Sequence, residues 1–150
     1  MQSFSRFSLD TSTTLPETRI SELLFSLIPW DRIFLSGDLW SGKSTLIRAL
    51  LRRHFSDEDM VVRSPTYTYY QKYGSNIYHF DLYRIESYDD LLLLWAIEIF
   101  DNPNSICIIE WPDILGDTLY PTKSISISIE DPTTRIYTLT TYKPIWASTP

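Results

Sequence analysis

The stretch that most constrains this chain is Gly37-Asp38-Leu39-Trp40-Ser41-Gly42-Lys43-Ser44, which fits the pattern G-x-x-x-x-G-K-[ST]. Arg32-Ile33-Phe34-Leu35-Ser36 reads as a buried strand entering it, and Thr45-Leu46-Ile47-Arg48-Ala49-Leu50-Leu51 as a helix leaving it. In that setting the glycines let backbone N–H groups curl around phosphate oxygens, and the helix N-terminus adds partial positive charge. Lys43 is then placed to reach the β- and γ-phosphates of a nucleotide, and the Ser44 hydroxyl to hold Mg2+.

The rest of the composition limits what such a loop can serve. At 150 residues, 43% hydrophobic and 21% charged, the chain reads as one folded domain with a real core. We place that domain at 1–142 and treat 143–150 as a loose tail. No apolar run approaches the ~20 residues of a membrane span, and no signal-peptide core precedes the domain. One cysteine, Cys107, excludes an internal disulfide. These features predict a cytoplasmic protein with no membrane partner. The net charge of −6 argues against broad nucleic-acid contact, which needs Lys and Arg to neutralise phosphates. A role with nucleic acid would be indirect, through a protein.

Along the chain, Phe4, Phe7 and Leu9 suggest a first strand. Thr14-x-x-Glu17 is a capping box, and Ile20, Leu23, Leu24, Leu27 and Ile28 follow helical spacing, so a helix is predicted over 15–28, ended by Pro29. The helix after the loop runs to about His54. Val61-Val62 begins a short strand. Tyr69 to Tyr73 and Ile77 to Tyr83 flank Gly74-Ser75-Asn76 and read as an antiparallel hairpin. Ser87-x-x-Asp90 caps a leucine-rich, largely buried helix over 88–100. Ile106-Cys107-Ile108-Ile109-Glu110 reads as a central strand ending in a carboxylate. Ile125 to Ile129 and Arg135 to Thr141 make a C-terminal hairpin. The fold class is α/β: one P-loop NTPase-like domain, its mixed sheet flanked by helices and carrying antiparallel hairpins.

A loop of this kind needs further oxygen ligands for Mg2+. Glu110, after its apolar strand, and Asp81, in the aromatic run, are the candidates. Thr66 and Tyr67 lie in a Pro-anchored segment where some nucleotide hydrolases carry a switch loop, so a hydroxyl there could sense phosphate or position water. His79 reads as a packed sheet histidine rather than a base, and the tyrosines of 67–83 as cross-strand packing pairs.

Taken in order, Gly37-Asp38-Leu39 with Gly42-Lys43-Ser44, Ser64-Pro65-Thr66-Tyr67-Thr68, His79-Phe80-Asp81-Leu82-Tyr83-Arg84 and Glu110-Trp111-Pro112 resemble the bacterial TsaE family over roughly residues 10–140. The resemblance implies a small P-loop ATPase that binds ATP with Mg2+, hydrolyses it slowly alone, and is required for threonylcarbamoyladenosine formation in tRNA. It implies the TsaB–TsaD heterodimer as partner, TsaD transferring the threonylcarbamoyl group, and ATP turnover resetting that complex. It implies a catalytic set of Lys43, Asp81, Glu110 and Thr66, and metal ligation by Ser44, Asp81 and Glu110. Gly37, Asp38, Leu39, Trp40, Ser41, Gly42, Lys43, Ser44 and Thr45 would bind nucleotide, with Trp111 near it and Arg135 near the base. Thr18 matches a family threonine to which we assign no role.

The departures share a form. Positions where the family carries glycine hold Trp40 in the loop, Trp30 before the loop strand and Trp95 in the later helix. The chain has 4 glycines where about 10 are expected at average usage. One explanation is a codon that the source organism reads as glycine; the other is true divergence, with a bulky ring at the mouth of the site. Trp40 keeps a second function in view, an ATP-dependent assembly module without hydrolysis. A small P-loop kinase is a third, opposed by the lack of a segment with paired arginines after the loop helix. A GTPase is opposed because Thr122-Lys123-Ser124-Ile125 lacks the aspartate of N-K-x-D. The segments 64–70 and 88–100 are the candidate surfaces for reporting nucleotide state.

Overall fold

The computed structural model describes residues 2–10, 26–132 and 134–142. The predicted helix over 15–28 lies outside them apart from 26–28, which are not helical, and so do the Thr14–Glu17 cap, Thr18 and the tail. A single mixed sheet runs through the molecule in the order β1-β7-β6-β2-β5-β4-β3. Its strands are β1 (Gln2–Asp10), β2 (Arg32–Gly37), β3 (Tyr70–Tyr73), β4 (Ile77–Asp81), β5 (Ile106–Glu110), β6 (Lys123–Asp131) and β7 (Thr134–Tyr142). β6, β2, β5 and β4 are parallel neighbours, while β3, β7 and β1 pair antiparallel.

Side chains alternate across a strand, so each central strand feeds two cores. On one face Ile33, Leu35, Ile77, Ile106, Ile108, Ile125 and Ile127 pack on Leu46, Ile47, Leu50 and Leu51 of α1 (Lys43–Phe55). On the other, Phe80, Cys107 and Ile109 meet Leu91, Ala96, Phe100 and Leu115. All five residues of β5 are buried, which explains its unbroken apolar run. Each fully buried leucine or isoleucine contributes about 1.5–3 kcal/mol, so Leu46→Ala at the centre of the first core costs about 2–5 kcal/mol.

The parallel strands must all end at one edge of the sheet, and the starts of β2 and β5 lie at the other. There Arg32, 1% exposed, ties three elements together. Its guanidinium donates to the carbonyls of Phe100, Asn102, Ser105 and Asp31, at 2.7–3.2 Å. Burial pushes its pKa down, yet the carbonyls satisfy all of its donors that point inward.

Two expectations change. The helix predicted over 88–100 is two short helices, α2 (Tyr88–Leu93) and α3 (Ala96–Asp101), because Trp95 between them is left-handed at φ 59°. The Ser87–Asp90 capping box does start α2, but Leu92 and Leu93 are exposed and only Leu91 of that helix is buried. Val61-Val62 is not a strand. Val62 packs on the core beside α1, and the Arg63 N–H donates to the Tyr73 hydroxyl instead of to a neighbouring strand. The aromatic hairpin forms as expected, with Tyr70 stacked near Tyr78 and Phe80.

Candidate functional site

β2 delivers the chain to the loop at the strand-end edge, where ligands bind in open α/β sheets. The two loop glycines are required for different reasons. At Gly37 there is no space: a Cβ would lie 2.6 Å from Ser41 Oγ and 2.9 Å from the Ile127 carbonyl. At Gly42 there is space, the nearest atom being the Tyr137 hydroxyl at 3.9 Å, but φ is +104°. Gly42 then hands the chain to α1, whose first residue is Lys43. The Lys43 ammonium is buried. It donates to the carbonyls of Gly37 and Asp38, and the Trp111 ring centroid lies 4.4 Å away.

Across from the loop stand the two acids. Asp81 ends β4 and Glu110 ends β5, and they are register partners on adjacent parallel strands. Their shared row also contains Leu35 of β2, two residues before the loop begins. One cleft of about 420 Å³ is lined by Leu39, Trp40, Ser41, Gly42, Lys43, Ser44, Thr45, Ser64, Thr66, Asp81, Glu110 and Trp111. The fold therefore brings the loop, both acids, Thr66 and Trp111 into a single concavity. Gly37 and Asp38 line a neighbouring cleft with Trp111 and Ile127. Arg135 lines neither; its guanidinium donates to the carbonyls of Asp131 and Pro132 in its own hairpin turn.

The acids are held differently. Asp81 is half-buried: Oδ1 accepts from the Tyr83 N–H at 3.1 Å and Oδ2 from the Thr66 hydroxyl at 3.4 Å. Thr66 also meets Ser64 Oγ at 2.7 Å, a contact that sequence reading missed. Glu110 is 5% exposed, and its Oε2 is 2.9 Å from His79 Nε2. That pairing was missed too. The available signal was strand alternation, which puts residues 79 and 81 on the same face.

The donor set bears on a cation. Two carboxylates and one hydroxyl are hard oxygen ligands, fewer than a dedicated protein cage requires; among the described residues no three acidic, His or Cys side chains are arranged to hold a metal ion by themselves. That set suits Mg2+, which keeps waters and binds through one or two carboxylates plus substrate phosphates. No helix among the described residues is long and apolar enough to cross a membrane.

Residues 11–137 match the family model described as "Threonylcarbamoyl adenosine biosynthesis protein TsaE". This chain belongs to the TsaE family. It is 39% identical over 101 residues to the tRNA threonylcarbamoyladenosine biosynthesis protein TsaE of Haemophilus influenzae, an alignment covering 65% of this chain and 61% of that one. The TsaE of Rickettsia prowazekii is 33% identical over 118 residues, covering 75% of this chain and 80% of the relative. The chain thus spans about three fifths of the Haemophilus relative and four fifths of the Rickettsia one. The crystal structure of YdiB from Bacillus subtilis shares the fold, with a TM-score of 0.65 at 24% identity over 95% of this chain and 88% of that one. The span matched by the family model contains the loop, both acids and Thr66.

Proposed function

We propose that this chain is a P-loop protein that binds and hydrolyses ATP with Mg2+, acting on a TsaB–TsaD complex in the modification of tRNA. The observation that carries the reading is the facing of Lys43 and its loop by Asp81 and Glu110 across one cleft. The loop N–H groups and the start of α1 would take phosphate oxygens. Lys43 would exchange its two carbonyl partners for phosphate, which replaces hydrogen bonds with charge on the donor alone by ones with charge on both partners. Ser44, Asp81 and Glu110 would hold Mg2+, which when bound supplies charge neutralisation at the phosphates. Glu110, buried at its strand end and facing the cleft, is suited to orient a water and accept its proton. Thr66, bonded to Asp81, links the 64–68 segment to the state of the metal-binding acid. tRNA is reached only through the partner, in keeping with a net charge of −6. A cytoplasmic location goes with this reading.

Trp40 supports a second reading. Its ring is 92% exposed at the cleft mouth, where it could shield bound nucleotide from water and leave an ATP-dependent assembly module without turnover. The deciding measurement is phosphate release from ATP and Mg2+, with and without the cognate TsaB–TsaD complex, beside Lys43→Ala. Release stimulated by the complex and lost in Lys43→Ala is the expected outcome. Tight ATP binding with no release in either condition would replace the first reading with the second. Phosphoryl transfer to an added acceptor would favour a kinase over both.

A further inference from the structure

We infer that His79 is a positioning residue: it aims Glu110 into the cleft. The inference rests on the proposed Mg2+–ATP reading. His79 is 2% exposed and faces the same side of the sheet as Asp81 and Glu110. Its register partner on β5 is Ile108, so it reaches Glu110 along the diagonal of the ladder. An ionised carboxylate only accepts, so Nε2 carries the proton. That fixes Oε2 at 2.9 Å and leaves Oε1 as the oxygen free to serve the cleft. The other ring nitrogen, Nδ1, is buried without a partner among the described residues. With no partner for Nδ1 among the described residues, the bond to Glu110 is the contact that shapes the site, and the work of His79 is orientation. Such supporting bonds typically matter 10–100-fold to metal affinity.

The test is ATP binding by calorimetry at stepped Mg2+ concentrations, for the unaltered protein, His79→Ala and His79→Gln. His79→Ala should bind ATP normally without Mg2+ but need about 10-fold more Mg2+ for its full effect. His79→Gln, whose amide N–H can reach the same carboxylate, should restore most of the difference. An unchanged Mg2+ requirement in His79→Ala, or equal weakening with and without Mg2+, overturns the inference. If His79→Ala does not fold, His79→Asn, too short to reach, is set against His79→Gln; equal Mg2+ requirements overturn it. Failure of the unaltered protein to bind ATP would sink the underlying reading, and is visible before any variant is made.

A separate observation carries a second inference. We propose that positions 30, 40 and 95 are glycine in the protein as its own cell makes it. Each tryptophan occupies a left-handed backbone position that favours glycine. Pro29-Trp30 fills the centre of a turn closed by the Asp31 N–H on the Ile28 carbonyl at 3.0 Å, with φ +72° at the second central residue. That is the type II turn, whose signature is Pro then Gly. Trp40 holds the same place in the turn closed by the Ser41 N–H on the Asp38 carbonyl at 3.1 Å, with φ +69°. Trp95 stands just past Leu94, the C-cap of α2, at φ +59°, and its N–H bonds the Leu92 carbonyl at 3.1 Å, the geometry of a C′ glycine. A left-handed conformation costs an L-residue about 1–2 kcal/mol. No packing offsets that cost at Trp40 or Trp95, which are 92% and 69% exposed with no ring contact among the described residues. Trp30 only covers the Arg32 guanidinium, whose N–H groups already face carbonyls. Glycine at all three follows if a UGA codon is read as glycine in that organism.

The gene and the native protein test this directly. UGA at codons 30, 40 and 95 with UGG at codon 111, and peptide sequencing that finds glycine at the three positions, is the expected result. UGG at any of the three, or tryptophan there in protein purified from the native source, overturns the assignment at that position.

Discussion

Trp111 and Trp40 stand on opposite walls of one cleft with nearly the same backbone hand, φ 56° and 69°. Trp111 is half-buried, 5.0 Å from the Tyr83 ring and 4.4 Å from the Lys43 ammonium, so its contacts offset the cost of the left-handed backbone. Trp40 has no such contacts among the described residues and is 92% exposed. The difference runs through both walls. On the acid side, Glu110 is fixed by burial and by His79, and its geometry is a property of packed side chains. On the loop side, geometry is a property of the backbone, set by Gly37, Gly42 and the turn at position 40. A side-chain wall is broken by removing an atom that makes a contact. A backbone wall is broken by adding one where no Cβ belongs.

The largest test of that contrast is Glu110→Ala. It should lower partner-stimulated phosphate release by about 10²–10⁴-fold while ATP binding is largely retained, as expected for loss of a base. Equal loss of binding would mean that the acid wall serves only to hold nucleotide. Next comes a reversal of sign between the two tryptophans, read by thermal melting. Trp40→Gly should raise stability by about 1 kcal/mol, because glycine takes the left-handed turn without steric cost. Trp111→Gly should lower it, since two ring contacts go with the indole. Matching signs would dissolve the comparison. The smallest effect concerns Tyr137, whose hydroxyl sits under Gly42. Burial pushes that hydroxyl above its ordinary pKa of 10.0, so the folded chain keeps a proton that the unfolded chain releases. Its contribution is complete below about pH 10 and is lost as pH rises further. Tyr137→Phe should therefore flatten the alkaline end of a stability-against-pH curve, and an unchanged slope would count against burial as the cause.

The loop, its strand and its helix were legible because their pattern is local and contiguous. Glu110 was legible as an acid ending an apolar run and Asp81 as an acid inside an aromatic one, although it takes the parallel pairing of β4 and β5 to make them neighbours. What the sequence hid was non-local or disguised. The His79–Glu110 bond depends on a diagonal between two strands that are separated in the chain by both short helices. The break at residue 95 was hidden because a tryptophan after a run of leucines reads as more helix, whereas a glycine would have marked the stop. Val61-Val62 misled because β-branched residues favour a strand only where a neighbouring edge is available. Arg135 was assigned by likeness alone, and the structure seats it on its own turn.

The lysine resting beneath the Trp111 ring also has a spectroscopic meaning. An ammonium 4.4 Å from an indole centroid perturbs that indole's excited state, and any anion that draws Lys43 away will change the emission. The cleft thus carries its own optical probe, set against the lysine proposed to bind phosphate. In a chain with glycine at positions 30, 40 and 95, tryptophan would remain only at 111 and 146, and most of the background light would be gone.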